Sequence, residues 1–122
     1  MNKRIPPLLV AAMLATAYAH GDLKPAHGGV IAEGKQVVVE LVVKTDRLDV
    51  YLTDHVKAID AKGASGQVIL LSGGTKTEAR LLPAAGNLLS VQGNFKLGAG
   101  AKAIVKVSIP GKGEDQIRLS LP

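Results

Sequence analysis

Apolar residues recur at every second position in run after run of this chain, and that period of two constrains its fold more than any other feature. In residues 36–44, Val37, Val39, Leu41 and Val43 fall on one side and Val38, Glu40 and Val42 on the other. The density of β-branched residues there argues against a helix. Leu48, Val50 and Leu52 alternate in the same way with Asp49, Tyr51 and Thr53, and Thr77, Ala79 and Leu81 alternate with Lys76, Glu78 and Arg80. Further along, Ala101, Ala103, Val105, Val107 and Ile109 face away from Lys102, Lys106 and Ser108, and Ile117, Leu119 and Leu121 from Gln116, Arg118 and Ser120. Residues 30–33, 67–71 and 88–95 also read as extended. Turn formers separate the runs: Gly34-Lys35, Thr45-Asp46-Arg47, Gly63-Ala64-Ser65-Gly66, Ser72-Gly73-Gly74-Thr75, Pro83 to Asn87, Leu97 to Gly100 and Pro110 to Gly113. The pattern predicts seven to eight short strands and no helix, an all-β, small antiparallel β-sandwich. A sandwich is favoured over a barrel because one solvated face per strand is what two packed sheets show.

The beginning of the chain follows a different rule. Asn2-Lys3-Arg4 is a short positive segment, residues 5–16 are an apolar run, and Ala17-Tyr18-Ala19 places small residues where signal peptidase reads them. That run is shorter than the roughly 20 residues a membrane-spanning helix needs. The expectation is a cleaved signal peptide at 1–19, a single β-sandwich domain at 20–122, export to a bacterial periplasm and no stable membrane insertion afterwards.

Composition narrows the functional classes. Loss of Lys3 and Arg4 with the signal reduces the net charge of +5 to +3, too mild a balance for a nucleic-acid footprint. Tyr51 and Phe95 are the remaining aromatics, too few for base stacking. The chain has no cysteine, so a disulfide is impossible and any metal must be held by nitrogen and oxygen.

The three histidines carry the functional expectation. Cleavage after Ala19 makes His20 the first residue, joining a free α-amine to an imidazole. His27 opens the His27-Gly28-Gly29 turn, and His55 ends the strand that runs through Tyr51-Leu52-Thr53-Asp54. Loops and strand ends are where a rigid scaffold presents a site to solvent. Imidazole suits copper, zinc and nickel, and Cu(II) heads the affinity order for such donors. The expected metal set is therefore His20, His27, His55 and Asp54, with Asp22 or Glu40 as a further oxygen donor or as the group that orients a ligand ring. Each residue also has a plainer role: a solvated loop histidine, an aspartate closing a turn, a glutamate on an exposed strand face.

His27-Gly28-Gly29-Val30, Val39-Glu40-Leu41-Val42 and Val50-Tyr51-Leu52-Thr53-Asp54-His55 resemble small periplasmic proteins found with bacterial heavy-metal efflux and copper-resistance systems. They are similar to the N-terminal extension of some adaptor subunits of resistance-nodulation-division cation pumps. The likeness spans the middle of the exported chain and continues through Gly63-Ala64-Ser65-Gly66 and Ala84-Ala85-Gly86-Asn87-Leu88. It implies a metal ligand at His27, a second at the Asp54-His55 pair, and a pump adaptor as partner. An amino-terminal histidine is similar to that of copper proteins of the CopC type and of histidine-brace oxygenases, although the rest of their pattern is missing here.

No nucleophile elbow, phosphate-cradling loop or metalloprotease helix occurs, so the chain is not expected to be an enzyme. Two readings stand. One is a periplasmic carrier or buffer for copper or another divalent cation, serving a heavy-metal efflux system. The other is a metal-free interaction module that docks on an efflux adaptor or another envelope protein through a strand edge.

Overall fold

A computed structural model describes residues 23–55 and 57–122. The expected signal peptide, His20 and Asp22 lie outside the described residues. Eight strands follow in order: β1 (Val30–Glu33), β2 (Val38–Val43), β3 (Arg47–Thr53), β4 (Ser65–Ser72), β5 (Thr75–Pro83), β6 (Leu88–Gln92), β7 (Lys102–Ile109) and β8 (Gly113–Ser120). Every pairing is antiparallel, and no helix occurs among the described residues.

The spatial order is β1-β2-β3-β6-β5-β4-β7-β8. Strands β3 to β6 make a Greek-key arrangement, with β4, β5 and β6 as consecutive neighbours and β3 returning beside β6. One layer is β1-β2-β3-β6 and the other β5-β4-β7-β8. Inward residues of both layers form one cluster, in which Leu41, Leu48, Leu52 and Leu89 meet Val68, Leu70, Leu81 and Val105.

The layers are not separate sheets. β5 pairs with β4 along most of its length, while Leu82 and Pro83 at its end pair with Ser90 and Leu89 of β6. The sheet therefore runs unbroken from one layer into the other and rolls into a nearly closed form. On the opposite side β1 and β8 share no ladder, and a carboxylate bridges the gap. Asp115 of β8 accepts the backbone N–H groups of Lys35 (3.0 Å), Gln36 (2.7 Å) and Val37 (3.1 Å) at the β1–β2 turn. Burial pushes the Asp115 carboxyl up, but those three N–H groups, with the nearby Lys35 charge, outweigh it and hold it below the usual aspartate value.

Local sequence explains most element boundaries. Gly73 and Gly74 both have positive φ, 57° and 82°, which gives the two-residue primed turn whose twist matches its flanking strands. Gly66 belongs to β4 and not to the preceding link. A Cβ there would lie 3.1–3.2 Å from Leu81, Leu89 and the Lys106 carbonyl, so the missing side chain leaves room for core leucines. β6 stops at Gln92, short of the expected residue 95. Gly93 and Phe95 donate their N–H groups to Asp46 and Thr45 of a neighbouring turn, and Phe95 is buried at the edge of the core.

Candidate functional site

Alternation places Glu40 on the outward side of β2, yet it is only 4 % exposed. The chain before β1 covers it. Glu40 Oε1 accepts the N–H of Ala26 at 3.1 Å, and Oε2 accepts those of His27 at 2.9 Å and Gly29 at 2.8 Å. The His27 ring completes the shell, with Nδ1 2.9 Å from Oε1. Burial raises the Glu40 carboxyl, but the His27 ring bond and the backbone N–H groups of Gly29, His27 and Ala26 outweigh it, so it sits below the usual glutamate value.

An ionised carboxylate only accepts, so the ring nitrogen facing it carries the proton. In the neutral imidazole this leaves the lone pair on Nε2. A second contact fixes the plane of the ring. Tyr51 pairs with Glu40 across β2 and β3, and its ring stacks on His27 with centroids 3.6 Å apart and planes 2° from parallel. Held at one edge by Glu40 and across one face by Tyr51, His27 remains 42 % exposed. Gly29 permits this approach: a Cβ there would lie 2.3 Å from the Leu41 carbonyl oxygen, a backbone atom that cannot yield.

His55 sits in the turn that ends β3. Asp54 donates its N–H to the Lys57 carbonyl and accepts the Lys57 N–H at Oδ1, both at 3.0 Å. Within this turn His55 takes φ 82°, the one non-glycine residue with positive φ among the described residues. A side chain in that region carries strain of about 1–3 kcal/mol, a feature that gathers at functional sites. His55 Nε2 lies 3.4 Å from Glu33 Oε2. Strand register brings them together: Glu33 ends β1 opposite Val38, and Val38 pairs with Thr53, two residues before His55.

His27, Tyr51, His55, Lys57 and Asn87 line one groove of about 250 Å³. Two of the three histidines therefore share a site wall. Asp54 is engaged in its turn. Glu40, rather than lying on a solvated strand face, is buried beneath the arm as the group that orients His27. Among the described residues no three His, Asp or Glu side chains converge as a ligand set, and His20 is outside them. Imidazole nitrogen and carboxylate oxygen are donor types that borderline divalent cations accept, but His27, His55 and Glu33 do not converge as a set.

Glu33 and Tyr51 were not among the expected site residues. A tight turn at Gly34-Lys35 would have set Glu33 opposite Gln36, but the loop takes in residues 34–37, closed by the Gly34 N–H on the Val37 carbonyl, and Glu33 pairs with Val38. The stacking of Tyr51 depends on the arm folding back, which no local pattern encodes. Comparison with protein families, curated proteins and solved structures found no match for this chain.

Proposed function

We propose that this chain is an exported copper or divalent-cation binding protein that carries or buffers metal for a heavy-metal efflux system. In this reading His27 and His55 are ligands, and a processed His20 supplies a further amine and imidazole. The observation that carries the reading is the His27 ring, whose Nδ1 is engaged by the buried Glu40 carboxylate. Metal-binding histidines commonly have one ring nitrogen fixed by a carboxylate, which sets the tautomer and orients the other nitrogen toward the ion. The strained backbone of His55 and its place in the same groove support the same reading.

Calorimetric titration of the processed protein with Cu(II) and with Zn(II) tests it. Saturable binding is expected, weakened about tenfold or more by His27→Ala and by His55→Ala, and roughly 10–100-fold by Glu40→Gln, the usual cost of losing an orienting partner. Absence of binding by either ion, or binding unchanged in both histidine variants, refutes the proposal. The second reading, a metal-free docking module, is favoured by one observation. From Thr75 to Leu81, β5 pairs only with β4, and Leu82 beside that free edge is 61 % exposed.

A further inference from the structure

A larger concavity, about 970 Å³, lies away from the histidines, on the β5-β4-β7-β8 layer. A row of outward side chains crosses it strand by strand: Arg80 on β5 pairs with Gln67 on β4, Gln67 with Lys106 on β7, and Lys106 with Gln116 on β8. Ser65 and Ser108, paired with each other, form part of the next row. Adjacent strands are about 4.8 Å apart, so the backbones bearing Arg80 and Lys106 are separated by about 10 Å. Both side chains are long enough to converge above Gln67.

The charges here are unbalanced. Arg80 and Lys106 form no ion pair among the described residues, in contrast to Arg47, held by Asp49, and Lys76, held by Glu78. The acids nearby are mostly engaged. Glu78 takes the Lys76 ammonium at 3.1 Å and the Gln67 amide at 3.1 Å. The Asp115 carboxylate is filled by three backbone N–H groups. Lys35 on the wall is offset by the ionised Asp115 beside it, and Glu114 is an exposed acid without an ion pair. The lining thus offers two unpaired cations, Arg80 and Lys106, at a spacing suited to two anionic groups, with the Ser65 and Ser108 hydroxyls in the next row. It has no aromatic ring on which a base can stack, and its concavity does not fit a flat bilayer.

We propose that this cleft is a binding site for a small soluble polyanion of the oligophosphate class, gripped at its two ends by Arg80 and Lys106. Two cations facing a concave surface focus field on a multivalent anion more effectively than the same charges on a convex one. The site is independent of the histidine groove and does not rest on the metal reading.

Sodium triphosphate is the probe, titrated calorimetrically into the purified protein at low salt and again at about 0.15 M, where exposed charges are largely screened beyond about 8 Å. Saturable one-to-one binding is expected in both, weakened at least tenfold by Arg80→Gln and by Lys106→Gln. Lys96→Gln removes the same charge from an exposed loop outside the cleft and should change affinity less than twofold. Thermal melts of the three variants, all at exposed positions, verify that each is folded. The proposal is overturned by absence of saturable binding, by equal losses in all three variants, or by hexaglutamate binding at this cleft where triphosphate does not.

Discussion

Replacing Glu40 by glutamine keeps the shape of the side chain and removes its charge, which isolates what the carboxylate does. Glu40 accepts four hydrogen bonds, from the N–H groups of Ala26, His27 and Gly29 and from the His27 ring. A glutamine oxygen has two lone pairs, and its NH₂ group turns a donor toward N–H donors, so one of the four bonds is lost if the His27 ring changes tautomer to accept at Nδ1 and two if it does not, while the rest lose their charge assistance. Hydrogen bonds to a charged group contribute about 1.5–3 kcal/mol each, which sets a gross loss of roughly 3 kcal/mol or more. Ala26 and His27 are exposed and their freed N–H groups rehydrate, so a net cost of about 2 kcal/mol is expected. At about 1.4 kcal/mol per factor of ten, amide hydrogen exchange at Ala26, His27 and Gly29 should accelerate roughly 30-fold. Exchange at Lys35 and Val37, bonded to Asp115, should not change.

The wild-type protein should also show a steeper acid dependence than the variant, in which only the Asp115 contribution remains. The folded-state value of Glu40 lies below its unfolded value of about 4.3. In the window between them the unfolded chain binds more protons, so stability rises with pH. The contribution is fully present above the unfolded value and is lost as pH falls through the folded one. Unchanged exchange at His27 and Gly29 in Glu40→Gln, or acceleration spread evenly over the whole chain, refutes the view that this carboxylate holds the arm and with it the His27 ring.

Asp115→Asn should open the seam between β8 and the β1–β2 turn. The asparagine oxygen can keep the Gln36 and Val37 bonds without their charge assistance and loses that of Lys35, a cost of about 2 kcal/mol and a fall in Tm of roughly 8–16 °C for a domain of this size, measured by calorimetry. A Tm within 2 °C of wild type contradicts that role. Leu89→Ala and Leu82→Ala test which surface is inside: Leu89 is fully buried and Leu82 is 61 % exposed. Urea denaturation should give a loss of about 2–5 kcal/mol for the first and less than about 0.5 kcal/mol for the second, and similar losses refute the assignment of faces.

What the sequence determined by itself was local. Side chains of a strand alternate between faces, so the apolar period of two identified the strands and separated Leu48, Val50 and Leu52, which enter the core, from their outward neighbours. Paired glycines at 73 and 74 announced a hairpin, and the lone charge at Glu40 marked an unusual strand. Tertiary structure decided what that charge was for. Period-two patterning says which side of a strand faces out, but it does not say what covers that side. Only the returning arm turned an outward glutamate into a buried acceptor and stacked His27 on Tyr51. The same limit applies to the two layers, since alternation reads identically in a pair of sheets and in one rolled sheet. Continuity through Leu82 and Pro83, and the Asp115 bridge on the far side, arise from contacts between residues as far as 80 positions apart, beyond the reach of any local pattern.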